Sequence, residues 1–106
     1  VEISPEEVAR CLAGPGAPRL IDVREPDEFA ICRIAGAELI PLSELASVAA
    51  WRLSDRSQEL VVYCHHGVRS LRAVQWLRAR GWSGARSMAG GIEAWSLRVD
   101  PAVPRY

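Results

Sequence analysis

The stretch Leu60-Val61-Val62-Tyr63-Cys64-His65-His66-Gly67-Val68-Arg69-Ser70 decides the fold of this chain. Leu60 to Tyr63 is continuous, apolar and largely β-branched or aromatic, which predicts a central strand buried on both faces. From about Ser70 to Arg80 the period changes. Leu71, Val74 and Leu77 recur every three residues opposite Arg72, Gln75 and Arg78, so an amphipathic helix is expected, stopped by Gly81. A strand passing through a short loop into a helix is the repeating unit of an α/β fold.

The flanking sequence continues that alternation. Ser4-Pro5-Glu6-Glu7 supplies an N-cap serine, a proline at the first helical position and a capping-box glutamate, so a helix should run to about Leu12 and end at Gly14-Pro15-Gly16. Leu20-Ile21-Asp22-Val23 suits a short buried strand, and Glu25-Pro26-Asp27-Glu28-Phe29 reads as a brief acidic helix start. Another short strand fits within Ala37 to Leu42, after which Ser43 is expected to cap a helix carrying Leu45, Val48 and Ala49 on one face. Ser54 to Gln58 is a polar loop. Arg86-Ser87-Met88 is a plausible last strand, Gly90-Gly91 a turn, and Ile92 to Leu97 a short helix before the proline-bearing tail Asp100 to Tyr106. Strands alternating with helices predict a mostly parallel sheet flanked by helices.

With 106 residues, the chain is expected to form one domain spanning 1–106, since domains cluster at about 100–150 residues. Its 49% hydrophobic and 25% charged residues are those of an average globular domain, so disorder is not expected. The 13 basic residues balance the 13 acidic ones, which removes the net-charge footprint of a nucleic-acid or anionic-membrane binder. All the basic residues are arginine, so Schiff-base and P-loop lysine chemistries are excluded. Cys11, Cys32 and Cys64 make an odd count without a C-x-x-C pair, arguing for a reducing compartment rather than a disulfide framework. No apolar stretch approaches the roughly 18 residues of a membrane span, and Val1 to Arg10 is charged where a signal peptide would be apolar. A soluble, cytoplasmic protein is expected. Since the first residue is valine, either an initiator methionine was removed or the chain was cut from something longer.

Cys64 falls at the carboxyl end of the central strand, where ligands bind in open α/β sheets. The loop after it leads into a helix N-terminus, whose unpaired N–H groups and positive dipole end favour an anion, here the thiolate itself. A lowered thiol pKa is therefore expected. Gly67 permits backbone angles that let successive amides converge on the sulfur, and Arg69 adds a fixed charge with forked donors for an oxyanion. Cys11, beside Val8 and Leu12 on an apolar helix side, reads as a core residue. His65 and His66 do not suggest metal, because adjacent residues seldom ligate one ion and no second Cys/His cluster accompanies them. No cofactor is called for.

Three segments in order resemble the rhodanese homology domain: Asp22-Val23-Arg24 followed by Glu28-Phe29, the Cys64-x-x-Gly67-x-Arg69 loop, and Gly90-Gly91-Ile92-Glu93-Ala94-Trp95. The resemblance covers nearly the whole chain. It implies sulfane sulfur transfer through a persulfide on Cys64, from a donor such as thiosulfate to cyanide or a thiol acceptor. It further implies that the loop of His65, His66, Gly67, Val68 and Arg69 binds the substrate, its amides cradling the persulfide and Arg69 holding the anionic donor. Asp22, Arg24 and Ser70 become supporting residues, and Trp95 a packing residue. One segment departs from the family pattern. Cys32-Arg33-Ile34-Ala35-Gly36-Ala37 stands where Gly-His-Ile-Pro-Gly-Ala is usual, so Cys32 is either a neutral replacement or, if the fold brings it near Cys64, a second redox-active thiol. The loop pattern and the Val99 to Tyr106 ending also resemble rhodanese domains fused behind adenylyltransferases of cofactor biosynthesis, which would make the acceptor a small sulfur-carrier protein.

Two other classes compete with this one. Protein tyrosine phosphatases use a strand-loop-helix cysteine with five residues before the arginine; here four separate Cys64 from Arg69, a narrower cradle. A non-catalytic binding module of the same fold is the remaining alternative, against which an intact Cys64 and Arg69 argue.

Overall fold

The computed structural model describes all residues 1–106. In chain order the elements are β1 (Glu2–Ile3), α1 (Pro5–Ala13), β2 (Arg19–Asp22), α2 (Pro26–Ile31), β3 (Glu38–Leu39), α3 (Leu42–Arg52), β4 (Leu60–Tyr63), α4 (Val68–Ala79), β5 (Ala85–Met88) and α5 (Gly91–Arg98). The strands form one sheet in the order β1-β5-β4-β2-β3, with every pairing parallel. β4 is central and its four residues are fully buried, as the apolar run predicts.

Alternation along β4 divides the core in two. Leu60, Val62 and Cys64 point into a cluster completed by Leu45 and Ala49 of α3 and Ala73, Val74 and Leu77 of α4. Val61 and Tyr63 point the opposite way, onto Val8 of α1 and Ile92 and Trp95 of α5. This is the period-2 geometry of a strand with helices on both faces. Trp95 packs as expected. Cys32 belongs to the second cluster and Cys64 to the first, so the sheet separates the two thiols.

Several boundaries differ from the sequence reading. Ser4 Oγ accepts from Glu7 N at 3.1 Å, but the glutamate that reaches back to its cap's backbone is Glu28, which accepts from Glu25 N at 3.0 Å at the start of α2. Ser43 does not cap α3. The helix begins two residues earlier, behind Pro41, because Leu42 N is drawn to Val23 O at 3.1 Å in continuation of the neighbouring strand. α4 begins at Val68, two residues before the expected start, since Gly67 in the left-handed region (φ 104°) turns the chain directly into the helix. β1 is a strand that the sequence pattern does not announce. Two residues carry no periodic signal, and the strand exists through Ser87 N donating to Val1 O and Ala89 N to Ile3 O.

Candidate active site

β2 and β4 run in register, with Asp22 opposite Tyr63, and Val23 N extends the ladder by donating to Tyr63 O at 3.0 Å. Val23 and Cys64 therefore leave the sheet side by side in the first core cluster, while Arg24 turns to the opposite face, over Tyr63. Cys64 is 1% exposed. Gly67 N approaches its Sγ at 3.1 Å and Ser70 N at 3.3 Å, while Ser70 Oγ lies 3.5 Å away. Two amide donors and a hydroxyl thus converge on one sulfur at the first turn of α4.

The loop's carbonyls are disposed of on the other side. Cys64 O accepts from Ile92 N at 2.9 Å and His65 O from Glu93 N at 3.1 Å, so the free amides of the α5 N-terminus consume the loop's acceptors. That contact requires Gly91, where a Cβ would stand 2.3 Å from His65 O and 2.6 Å from Cys64 O. The Gly90-Gly91 pair is therefore the seat of the cysteine loop as well as a turn.

A chain of charged contacts runs from the first turn of α4 to the end of β2. Arg69 forks onto Glu28, Nη1 to Oε1 at 2.6 Å and Nη2 to Oε2 at 2.9 Å. The guanidinium holds the Glu28 carboxyl down at about 2 despite partial burial, and Glu25 N and the Tyr106 hydroxyl add donors to it. Arg24 is fully buried. Burial opposes its charge, but three contacts to the Asp22 carboxylate outweigh it and keep the group protonated; Cys32 O and Tyr106 Oη also accept from it. Asp22 additionally accepts from Arg24 N at 2.9 Å, which fixes the turn out of β2. Tyr106 joins the two pairs: its hydroxyl accepts from Arg24 and donates to Glu28 Oε2 at 2.7 Å. Its ring stacks on His65 at 3.9 Å, and His65 stacks in turn on His66. Burial and the neighbouring His66 lower the His65 pKa.

The structure thus gathers Gly67 and Ser70 on Cys64, with Arg69 on the same turn; Asp22 and Arg24 lie on the opposite face and connect to Arg69 through Tyr106 and Glu28. Among the loop amides from His65 to Arg69, that of Gly67 hydrogen-bonds the sulfur, and the next one to do so belongs to Ser70. Val68 is exposed on the outer surface. Cys32 sits beside Arg24, with Sγ 4.0 Å from Nη1, as a packing residue away from Cys64. Cys11 is half-buried against the second cluster. Glu28, Ser87, Gly91 and Tyr106 are the site neighbours that the sequence reading did not single out. Glu28 carried a signal, an acidic residue in the same motif as Asp22 and Arg24; Ser87 carried none.

A parallel α/β sheet with a cysteine cradled between its central strand and the following helix defines a class of thiol-bearing domains. Residues 4–98 match the family model of the rhodanese-like domain, and the chain belongs to that family. It is 37% identical to human thiosulfate:glutathione sulfurtransferase over 98 residues, covering 81% of this chain and 85% of that protein. It is also 41% identical over 101 residues to the maize adenylyltransferase and sulfurtransferase MOCS3-1, covering 90% of this chain but 22% of the maize protein. The solved human single-domain sulfurtransferase TSTD1 superposes with a TM-score of 0.80 at 37% identity, over 92% of this chain and 96% of that one. A rhodanese-related protein from Thermoplasma volcanium gives 0.82 at 31% identity, over 99% and 98%. Several curated relatives are much longer, so that this chain spans 21–30% of their length. No helix is long and apolar enough to cross a membrane.

Proposed function

We propose that the protein is a sulfurtransferase that carries sulfane sulfur as a persulfide on Cys64. The observation that carries this reading is the convergence of Gly67 N and Ser70 N on Sγ at 3.1 and 3.3 Å, at the N-terminal end of α4. Such donors favour the thiolate, which attacks the outer sulfur of thiosulfate. The S–S bond of the donor breaks, sulfite leaves with its electron pair, and Cys64 holds the transferred sulfur. Cyanide or a thiolate then attacks that outer sulfur, the Cys64 thiolate is released, and thiocyanate or a new persulfide departs. The family membership and the sulfurtransferases among its relatives support this class of chemistry.

Arg69 is assigned to the donor. Glu28 takes two of its five N–H groups, leaving three to meet a sulfonate at the rim. His65, His66 and Val68 line the same loop, Asp22 and Arg24 brace it, and Ser70 bonds the sulfur. A second acceptor reading, the end of a carrier protein, is favoured by the similarity to the maize adenylyltransferase and sulfurtransferase. The four-residue spacing from Cys64 to Arg69 speaks against a phosphatase.

Thiocyanate formation from thiosulfate and cyanide tests the assignment. Cys64→Ser, folded by circular dichroism, is expected to be inactive and Cys11→Ser to retain activity. Turnover by folded Cys64→Ser would overturn the assignment of the nucleophile.

A further inference from the structure

Ser87 lies on β5, outside the cysteine loop and outside every motif the family resemblance rests on. It is fully buried. Its Oγ stands 2.8 Å from Ser70 Oγ, and that is its only hydrogen-bond partner. A buried hydroxyl left without an acceptor is costly, so the Ser87 proton must be directed at Ser70 Oγ. Ser70 in turn has three neighbours: Ser87 Oγ, Gly67 O at 3.2 Å and Cys64 Sγ at 3.5 Å. With one lone pair already filled by Ser87, Ser70 has one proton and one lone pair to divide between the Gly67 carbonyl and the sulfur.

We propose that Ser87 is a positioning residue that turns the Ser70 hydroxyl into a switchable partner for Cys64. While Cys64 is a thiol, its S–H points to Ser70 Oγ and the Ser70 proton goes to Gly67 O. When the thiol proton leaves for solvent, the Ser70 hydroxyl rotates and donates to the sulfur anion. Gly67 O loses nothing essential, because Leu71 N still donates to it at 3.1 Å. Ser87 keeps donating to Ser70 in both states, polarising the hydroxyl that meets the anion and preventing it from turning toward β5. No proton is stranded in either state.

The charged groups around the loop do not substitute for this contact. Arg69 on α4 is paired with Glu28 on α2, and His65, His66 and Glu93 lie about the loop; none hydrogen-bonds Ser87. Arg86, next along β5, falls on the opposite face by alternation. The proposal deepens the sulfurtransferase reading, but its test needs no sulfur donor.

The experiment is alkylation of Cys64 by iodoacetamide against pH, followed by peptide-resolved mass spectrometry so that Cys11 and Cys32 need not be changed. In Ser87→Ala the pH of half-maximal reaction should rise by about half a unit to one unit, leaving roughly three- to tenfold less thiolate at a given lower pH. Ser87→Thr, which keeps the hydroxyl, should restore the parent profile. Adding Ser87→Ala to Ser70→Ala should move the profile no further than Ser70→Ala alone, since Ser87 acts through Ser70. A Ser87→Ala profile that superposes on the parent, or shifts that simply add in the double variant, would overturn the proposal. Absence of sulfur transfer in the parent, with the alkylation shifts as expected, would count against the sulfurtransferase reading and leave the role of Ser87 standing.

Discussion

Replacing Gly91 by alanine should damage the cysteine loop more than any property of residue 91 itself. Two costs add. Gly91 has φ 63°, where a side chain costs about 1 kcal/mol or more. A Cβ built there meets His65 O at 2.3 Å and Cys64 O at 2.6 Å, against 3.4 Å for ordinary contact, so loop backbone must retreat by about 1 Å. Those carbonyls accept from Glu93 N and Ile92 N, and breaking one such bond adds about 1 kcal/mol. The expected loss of stability is roughly 2 kcal/mol, and a displacement of this size in the backbone that carries the reacting sulfur is expected to lower sulfur transfer about a hundredfold. Gly16→Ala is the control, for Gly16 has a similar φ of 66° but nothing within 4 Å of its Cβ. It should cost about 1 kcal/mol and leave turnover unchanged. Urea denaturation and thiocyanate production on both variants decide the matter. Equal losses in the two variants, with activity preserved in Gly91→Ala, would refute the idea that α5 seats the loop.

Asp22→Asn leaves the fully buried Arg24 without its counter-charge and should destabilise the fold by about 3–5 kcal/mol. Arg98→Ala, which breaks an exposed pair with Glu6, should leave the midpoint of the same urea experiment essentially where it was. Glu28 supplies the pH dependence: its folded pKa of about 2 lies below the ordinary 4.5, so its contribution is present above about 4.5 and drains away as the pH falls toward 2. The stability gap between the parent and Glu28→Gln, measured by thermal melts from pH 6 to 2.5, should therefore narrow in acid; a constant gap would contradict the Arg69–Glu28 assignment.

Much of the architecture was legible because the apolar patterns are strong where burial is complete. Leu60 to Tyr63 could be placed at the centre of the sheet because all four positions are apolar, and Cys64 followed at its end. The cradle was readable to the extent that Gly67 marks a turn that few other residues can make. What escaped was long-range. Ser87 bonds Ser70 across 17 residues, and Tyr106 reaches Arg24 across 82, distances over which no spacing rule operates. The Ser43 cap failed because Ser43 is a good local candidate while Leu42 N is claimed by β2's extension through Val23 O. Arg69 looked free in the sequence because its ionic partner, Glu28, lies 41 residues away on another helix.

Intact-protein and peptide mass spectrometry after brief treatment with thiosulfate asks most directly whether Cys64 carries sulfur. The expected result is the gain of one sulfur atom on the peptide containing Cys64, removed on adding cyanide or a thiol, with Cys11 and Cys32 unmodified. No gain of sulfur, or a gain confined to Cys11 or Cys32, would contradict the persulfide on Cys64.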